Sequence, residues 1–547
     1  MPRIAIASIV FLLFVTSPAV AATSCEDLSK LSLPNTTITT AVLVPEGVYT
    51  APAPPRGANA PAANAGRGAE GRGGAAQNQG ARGAAPATPP QPIIAPAHCK
   101  VVAVLKPTSD SLINMELWLP PANAWNGKFE AVGNGGWAGS IQGLSAQGGG
   151  TPPMVNALRA GYATAGNDTG HEGGNGQFTL GHPEKVTDFA YRAMHEMTVQ
   201  SKALIKAFYD QGPRLSYYNG CSTGGRQGLM SAQRYPDDFD AILAGAPAND
   251  HLYLHAGDMA RMIDIFKDPE GLIPQAKQTM LANAVMKACD ALDGVTDSII
   301  TNPMACKFDP AVLQCKAGDA ADCLTSKQVT TAKRLYAPAK TSKGELIFPG
   351  YAYGGETGYN VMRGAPGPGV DIATNPVPGD LQLGTYRYLA HQDPNWDWKT
   401  FNIDTDSALA KKMGGQIDAV DTDMSKFKAR GGKLLLYHGW ADPAIQPEHT
   451  VNYYNSVLAK MGKDQSNWMA LFMVPGMGHC SGGAGPNQID WMTALENWRE
   501  KGQTPTSIIG KGKVGDAPMS RPLCPHPQVA TYKGSGDSND AANFTCK

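Results

Sequence analysis

The chain has 547 residues, 42% of them hydrophobic, with 46 Lys plus Arg against 47 Asp plus Glu. That length and apolar share exclude a peptide or a small disulfide knot and leave room for a large core, three or four units at ~150 residues each. A formal net charge of −1 argues against nucleic acid or an anionic membrane surface as a partner.

Residues 1–22 read as a signal peptide. Arg3 supplies a short positive region, residues 4–15 are mostly apolar but too few to span a bilayer, and Ala19-Val20-Ala21 is a small-x-small cleavage site. No second apolar run is long enough for a membrane helix, so the expectation is a mature protein that is secreted or periplasmic and has no membrane partner. Export changes how the 10 cysteines are read: Cys25, Cys99, Cys221, Cys289, Cys306, Cys315, Cys323, Cys480, Cys524 and Cys546. In an oxidising compartment an even number suggests five disulfides. No CxxC occurs, which argues against a zinc ribbon or a thioredoxin-like site. The count alone does not choose among the pairings.

Residues 23–50 form an N-terminal segment. Residues 51–90 then contain no Val, Leu, Ile, Met, Phe, Tyr or Trp. Such a stretch cannot bury enough apolar surface to offset its chain entropy, which predicts a disordered Ala/Gly/Pro-rich insert over 51–97. A bridge between Cys25 and Cys99 would make it a tethered loop.

Beyond the insert, residues 100–105, 113–119 and 129–133 look like strands. Alternation follows: a strand at 162–165, a helix at 184–209 with Val186, Phe189, Ala190, Ala193 and Met197 at helical spacing, a strand at 215–218, a helix at 225–235 and a strand at 239–244. This order predicts a mostly parallel α/β sheet. From 249 to 428 the pattern loosens into Gly/Pro-rich loops with four cysteines and several aromatics, which reads as an inserted domain. The α/β pattern resumes at 433–437 and 470–474, so the core is expected to consist of 98–248 and 429–547, split around the insertion.

Gly220-Cys221-Ser222-Thr223-Gly224 fits G-x-S-x-G between a predicted strand and a predicted helix, the setting of the nucleophile elbow of α/β-hydrolases. A serine hydroxyl needs a base to take its proton, and in that fold the acid and the histidine follow the serine in chain order. His479 comes soon after a late predicted strand, in a glycine-rich loop. Asp442 follows the apolar run 434–437 in Tyr437-His438-Gly439-Trp440-Ala441-Asp442. Cys221 precedes Ser222 and Cys480 follows His479, so a serine and histidine in contact would bring those cysteines together. A bridge between them would pin nucleophile to base. The oxyanion hole would use the N–H of Thr223 and a second donor from Gly133-Asn134-Gly135-Gly136-Trp137, with Gly135 and Gly136 as candidates, since glycine lets a backbone approach a ligand closely.

A further cluster runs from Cys289 through Asp290, Asp293, Gly294 and Asp297 to Ile299. Three carboxylates around a glycine turn suit a hard cation such as calcium, or simply a solvated acidic loop. The spacing departs from the EF-hand, and Cys289 and Cys306 could pin the loop at either side.

Taken together, Cys-Ser, Asp and His-Cys in this order resemble the tannase/feruloyl esterase family. So do Asn134-Gly-Gly-Trp137, Gly220-Cys-Ser-Thr-Gly-Gly-Arg-Gln-Gly228, Tyr235-Pro-Asp-Asp-Phe-Asp240 and His438-Gly-Trp-Ala-Asp442. The resemblance runs from about Cys25 to Cys546, apart from the low-complexity insert, which departs from the usual pattern. It implies an α/β-hydrolase core with a large inserted lid, a Ser222–His479–Asp442 triad and the Cys221–Cys480 bridge. It also implies a structural calcium held by the side chains of Asp290, Asp293 and Asp297 and the carbonyls of Val295 and Ile299. The further pairs it implies are Cys25–Cys99, Cys289–Cys306, Cys315–Cys323 and Cys524–Cys546. No organic cofactor is expected.

The expected activity is a serine carboxylic ester hydrolase acting on small aromatic acid esters. Feruloyl (hydroxycinnamoyl) esters come first, with galloyl esters (a tannase) or mono(hydroxyethyl) terephthalate as alternatives. A serine peptidase and a non-catalytic binding protein on the same scaffold are the other readings. The second requires a broken triad, and this sequence keeps every member. The acyl group is expected to be read by the insertion, which holds Tyr351, Tyr353, Tyr359, Tyr386, Tyr388, Trp396 and Trp398. These rings either form a slot for a flat acyl group or only pack the insertion. Oligomeric state is not fixed by the sequence.

Overall fold

The computed structural model describes residues 23–52, 92–145, 150–362 and 377–547. The expected signal peptide and residues 53–91 of the expected disordered insert lie outside them. At the far end of that insert Ile94–Ala95 is a short strand paired antiparallel with Gly47–Val48, so 92–97 belongs to the folded part.

Long runs of buried β-branched and aliphatic residues build the centre. Among the described residues nine strands form one sheet: β1 (Thr36–Val44), β2 (His98–Leu105), β3 (Ile113–Leu119), β4 (Lys128–Val132), β5 (Ala163–Asn167), β6 (Leu215–Cys221), β7 (Ala241–Gly245), β8 (Lys433–Gly439) and β9 (Met469–Val474). Their order is β1-β2-β3-β5-β4-β6-β7-β8-β9. β4, β7 and β9 are buried at every residue, as strands covered on both faces must be. From β5 through β9 all neighbours run parallel, while β1, β2 and β3 pair antiparallel. The sheet is therefore mixed, with an antiparallel side that the alternating pattern of the later segments did not foretell. β1 lies in the N-terminal segment and has one exposed face, so its β-branched run showed no apolar stripe.

Helices cover both faces. On one, α1 (Ala193–Tyr209), α2 (Thr223–Arg234) and, after the insertion, Pro447–Met461 pack Met197, Leu204, Leu229 and Val457 onto the strands. On the other, Trp491–Lys501 sets Trp491, Leu495 and Trp498 against Leu435 and Phe472. The helix expected over 184–209 is broken by one widened turn at Asp188–Arg192, whose termini connect Pro183–Thr187 to α1.

Between β7 and β8 the chain leaves the sheet. Helices α3 (His251–Phe266), α4 (Gln275–Cys289), α5 (Ser326–Tyr336) and α6 (Ile403–Gly414) share an apolar cluster of their own, including Leu252, Met259, Leu281, Val329 and Ala410. Trp137 and Phe189 of the core belong to the same cluster, so the insertion is packed continuously onto the end of the sheet. All five disulfides join the pairs expected above: Cys25–Cys99, Cys221–Cys480, Cys289–Cys306, Cys315–Cys323 and Cys524–Cys546.

Among the polar contacts that tie the two parts together, one is fully buried, at Arg226 on α2. Its guanidinium donates to the carbonyls of Ala190 (2.9 Å), Phe189 (3.2 Å) and, in the insertion, Ile417 (3.0 Å), and lies 4.7 Å from the Phe189 ring centre. Burial pulls its pKa down to about 10, yet it stays charged at neutral pH. Arg226→Met would remove a charged donor from three carbonyls and leave a hole in a buried polar contact. The expected loss is on the order of 3 kcal/mol, read as a melting temperature lower by about 3 °C. An unchanged melting temperature would show that the guanidinium is not needed to join insertion to core.

Candidate active site

Parallel strands place their carboxyl ends on one side of a sheet, and sites collect there. β4, β6, β8 and β9 all end on that side, and each is followed by one piece of the candidate site.

After β6 the chain turns sharply into α2 at Ser222, which takes φ 65° and ψ −125°. A left-handed φ in a residue with a Cβ is strained and persists only where the surroundings enforce it. Here the Ser222 N–H donates to Gly245 O at the end of β7 (2.9 Å), and the Ser222 carbonyl accepts from Arg226 N (3.1 Å) and Ala248 N (3.1 Å). The flanking glycines are a spatial necessity. A Cβ on Gly220 would lie 2.7 Å from Tyr218 Oη and 2.8 Å from the Gly224 carbonyl oxygen, and one on Gly224 would lie 3.0 Å from Asn134 O.

The histidine comes from the loop after β9. His479 Nδ1 lies 2.7 Å from Asp442 Oδ2. That loop is stitched to the one after β8, because Trp440 N–H donates to Val474 O (2.8 Å) and Ala441 N–H to Met477 O (3.0 Å). The imidazole is 29% exposed while the Asp442 side chain is fully buried. Ser222 and His479 are joined through their neighbours: Cys221 and Cys480, 259 positions apart, are disulfide-bonded with Cα atoms 5.9 Å apart. Among the described residues no hydrogen bond from Ser222 Oγ to His479 is present, and the imidazole is bonded to Asp442. In an unliganded site that contact is commonly long.

The electrostatics follow from burial and pairing. Burial alone would raise the Asp442 pKa, but the charge of His479 and the hydrogen bonds from His438 and His479 outweigh it. They hold the carboxyl well below the usual carboxylate range. For His479, burial pushes the pKa down, while the Asp442 charge and hydrogen bond push it up and prevail. The ring is thus a better proton acceptor than a free imidazole, as a general base must be.

The two candidate sources of an oxyanion hole lie side by side. Thr223 begins α2, where backbone N–H groups have no partner within the helix, and its Oγ1 donates to Gly136 O (2.7 Å). Gly136 has φ +56°, a conformation that favours glycine. Gly135 does not serve as expected: its N–H donates to Gln142 Oε1 at 2.6 Å and is committed there. Gly136 remains the second candidate.

Of the seven aromatic residues expected to read the acyl group, Tyr351, Tyr359, Tyr386, Trp396 and Trp398 are buried in the insertion's own packing. Tyr351 and Tyr359 pack as a tilted pair (ring centres 4.4 Å apart), and Tyr386 packs more loosely against Trp396 (5.8 Å). Tyr388 is half-buried. Tyr353 alone of the seven lines a cleft of about 660 Å³ that reaches His479, together with Met286, Ile300, Trp440 and Pro443. Ser222 is not in that lining, so the cleft adjoins the base rather than the nucleophile. Sequence reasoning missed Trp440 and the Ser298–Ile300 edge as cleft walls, and gave no role to His438, which contacts Asp442 directly.

The acidic loop borders this cleft through Ser298 and Ile299. Asp290, Asp293 and Asp297 all face their own backbone. Asp290 accepts from Asp297 N, Ser298 N and Ile299 N (3.0 to 3.3 Å), Asp293 from Val295 N (2.9 Å) and Thr301 Oγ1, and Asp297 from Ile299 N (3.1 Å) and Arg521. Burial raises the Asp297 pKa, Arg521 opposes this, and Asp293 and Asp290 add to the rise. Of the three carboxylates only Asp297 has a guanidinium partner, Arg521. An all-oxygen donor set with uncompensated negative charge fits a calcium ion in its chemistry. Among the described residues, however, no three acidic, His or Cys side chains converge closely enough to grip one ion, so Asp290 and Asp293 would have to turn from the backbone N–H groups to do so.

The chain is similar to known proteins over most of its length. The model of the family described as tannase and feruloyl esterase matches residues 99–547. An uncharacterized esterase of Xanthomonas campestris pv. campestris is 34% identical, over 96% of this chain and 92% of its own. A probable feruloyl esterase B-1 of Aspergillus fumigatus is 34% identical over 82% of this chain and 85% of its own. The crystal structure of feruloyl esterase B from Aspergillus oryzae superposes with a TM-score of 0.80 at 29% identity, covering 96% of this chain and all (100%) of that one. Tannin acyl hydrolase from Aspergillus niger shares the fold, with a TM-score of 0.70 at 20% identity over 95% of this chain and 94% of its own. A family match over residues 99–547 and relatives 34% identical over most of the chain point to one group: the chain belongs to the tannase and feruloyl esterase family.

Proposed function

We propose that the chain hydrolyses esters of aromatic carboxylic acids through an acyl-enzyme on Ser222, with feruloyl (hydroxycinnamoyl) esters as the preferred class. It is a carboxylic ester hydrolase of its family. The observation that carries the mechanism is the His479–Asp442 hydrogen bond of 2.7 Å on a loop bridged to the serine turn through Cys221–Cys480. In this reading His479 Nε2 takes the proton of Ser222 Oγ as the oxygen attacks the ester carbonyl. The N–H groups of Thr223 and Gly136 bind the oxyanion. His479 then returns the proton to the leaving alcohol, and the same base activates the water that frees the acid. Asp442 stays ionised and balances the imidazolium. A serine peptidase would share these steps; the named esterases among the relatives favour the ester. Galloyl esters and mono(hydroxyethyl) terephthalate remain the rival substrates, since the tannin acyl hydrolase relation concerns fold alone.

The five disulfides support an oxidising compartment, and hence export by the N-terminal signal. No helix among the described residues is long and apolar enough to cross a membrane. Calcium, in this reading, is structural. Asp290, Asp293 and Asp297 with the carbonyls of Val295 and Ile299 would hold it, and the ion would neutralise the loop's carboxylates beside the cleft.

Three outcomes test the proposal. Ser222→Ala is expected to lower ester turnover roughly 10³-fold or more while the fold is kept, and a variant that keeps over about a tenth of wild-type kcat would remove the serine from the mechanism. On substrate, kcat/KM for methyl ferulate is expected to exceed that for methyl acetate by at least about 10-fold, because ring burial contributes about 1–3 kcal/mol; a ratio near one means that no ring is recognised. On metal, a chelator is expected to lower the melting temperature and Asp293→Asn to abolish that response. Protein that carries no calcium by elemental analysis, or an Asp293→Asn variant that still responds, would eliminate the site.

A further inference from the structure

Asp442 carries a second imidazole that the triad does not use. His438, near the end of β8, is fully buried, with Nε2 at 3.0 Å from Asp442 Oδ2 and at 3.1 Å from Ile445 O. Both neighbours of Nε2 are acceptors only, so that nitrogen carries the proton. In the neutral ring Nδ1 is then the acceptor, and the hydroxyl of Thr450, 2.7 Å away on the helix Pro447–Met461, is its donor. The other Asp442 oxygen, Oδ1, accepts from Ala444 N (2.8 Å) and Ile445 N (3.0 Å). Oδ2 therefore accepts from both His438 and His479, and each ring draws on the charge of the same oxygen.

We infer that His438 is a positioning residue for the hydrolysis, a fixed N–H donor that holds the Asp442 carboxylate toward His479 and moderates how strongly Asp442 attracts the His479 proton. This rests on the triad reading of Ser222, His479 and Asp442. The physical argument is one of charge and geometry. A carboxylate fixed at Oδ1 alone can still tilt, and the His438 donor on Oδ2 removes that freedom and fixes where the His479 ring points. The same donor withdraws charge from Oδ2, which lowers the proton affinity of His479. Without it a more negative oxygen faces the base, the imidazolium is favoured, and the base becomes active only at higher pH.

Burial shifts the ionisable groups packed around this pair. His449, next to Thr450, is pushed down to about 4 by burial, with Asp250 and Lys411 beyond it. Tyr437 on β8 and Tyr351 of the insertion face Asp442, and burial pushes both phenols above their ordinary range.

The test compares His438→Asn and His438→Gln with wild type in the intact protein, using the pH profile of kcat/KM on methyl ferulate and titration of acylatable serine. The Gln amide nitrogen reaches the place of Nε2, whereas the Asn amide stops at Nδ1. For His438→Asn the expected result is a kcat lower by about 10–100-fold per acylatable site, little change in KM, and an acidic limb displaced upward by about half a unit or more. His438→Gln is expected to restore the limb and most of kcat. If His438→Asn does not fold, Thr450→Val decides: it leaves the ring but frees it to turn, and a limb at wild-type pH there overturns the inference. So does a His438→Asn enzyme that loses only melting temperature while keeping wild-type kcat per site and limb. Ser222→Ala in parallel separates the two readings, since turnover that survives it strikes the triad itself.

Discussion

The carboxylate of Asp442 has no exposure to water, and four hydrogen-bond donors meet it: two backbone N–H groups on one oxygen, two imidazoles on the other. An unpaired buried carboxylate would cost several kcal/mol and would take up a proton instead. Four donors keep it ionised, and an ionised Asp442 raises the basicity of His479. The rest of the site is arranged so that this charge can exist. The loop after β8 folds back on itself to present Ala444 and Ile445, the loop after β9 brings His479, and the helix behind brings Thr450 to hold His438.

A second constraint is covalent. The serine lies on one loop and the histidine on another, 259 positions apart across Cys221–Cys480. Sheet order does most of the work of bringing them close, since β6, β7, β8 and β9 are consecutive neighbours. The bridge then limits how far the two loops can separate. Strain at Ser222 and at Cys480, both with positive φ, is tolerated because neither backbone can relax without moving the other.

The insertion contributes by packing. Its aromatic rings are mostly spent on its own cluster, which reaches Trp137 beside the oxyanion loop. Arg226 spans the same boundary from the helix that starts at the nucleophile turn. The insertion is thus braced against the two elements that supply the nucleophile and the oxyanion donors, and the cleft beside His479 forms where its Tyr353 and Ile300 meet the Trp440 loop.

Much of this was legible in the chain itself. The G-x-S-x-G turn, Asp442 and His479 each follow a short apolar strand, in the order that a parallel sheet requires, and the paired cysteines beside Ser222 and His479 announce their own bridge. Those are local signals, a strand ending and a polar residue after it, and sequence carries local signals well. Tertiary structure decided the rest. Gly135 and Gly136 are identical in sequence terms, yet only contact with Gln142, seven positions on, commits the first N–H and leaves the second. The aromatic residues of 351–398 read alike as slot or filling until packing buried five of them. His438 looked like part of a motif; its role depends on Thr450, Ile445 and Asp442 converging on one ring, and the distance between side chains on different elements is set by the fold, not by spacing along the chain.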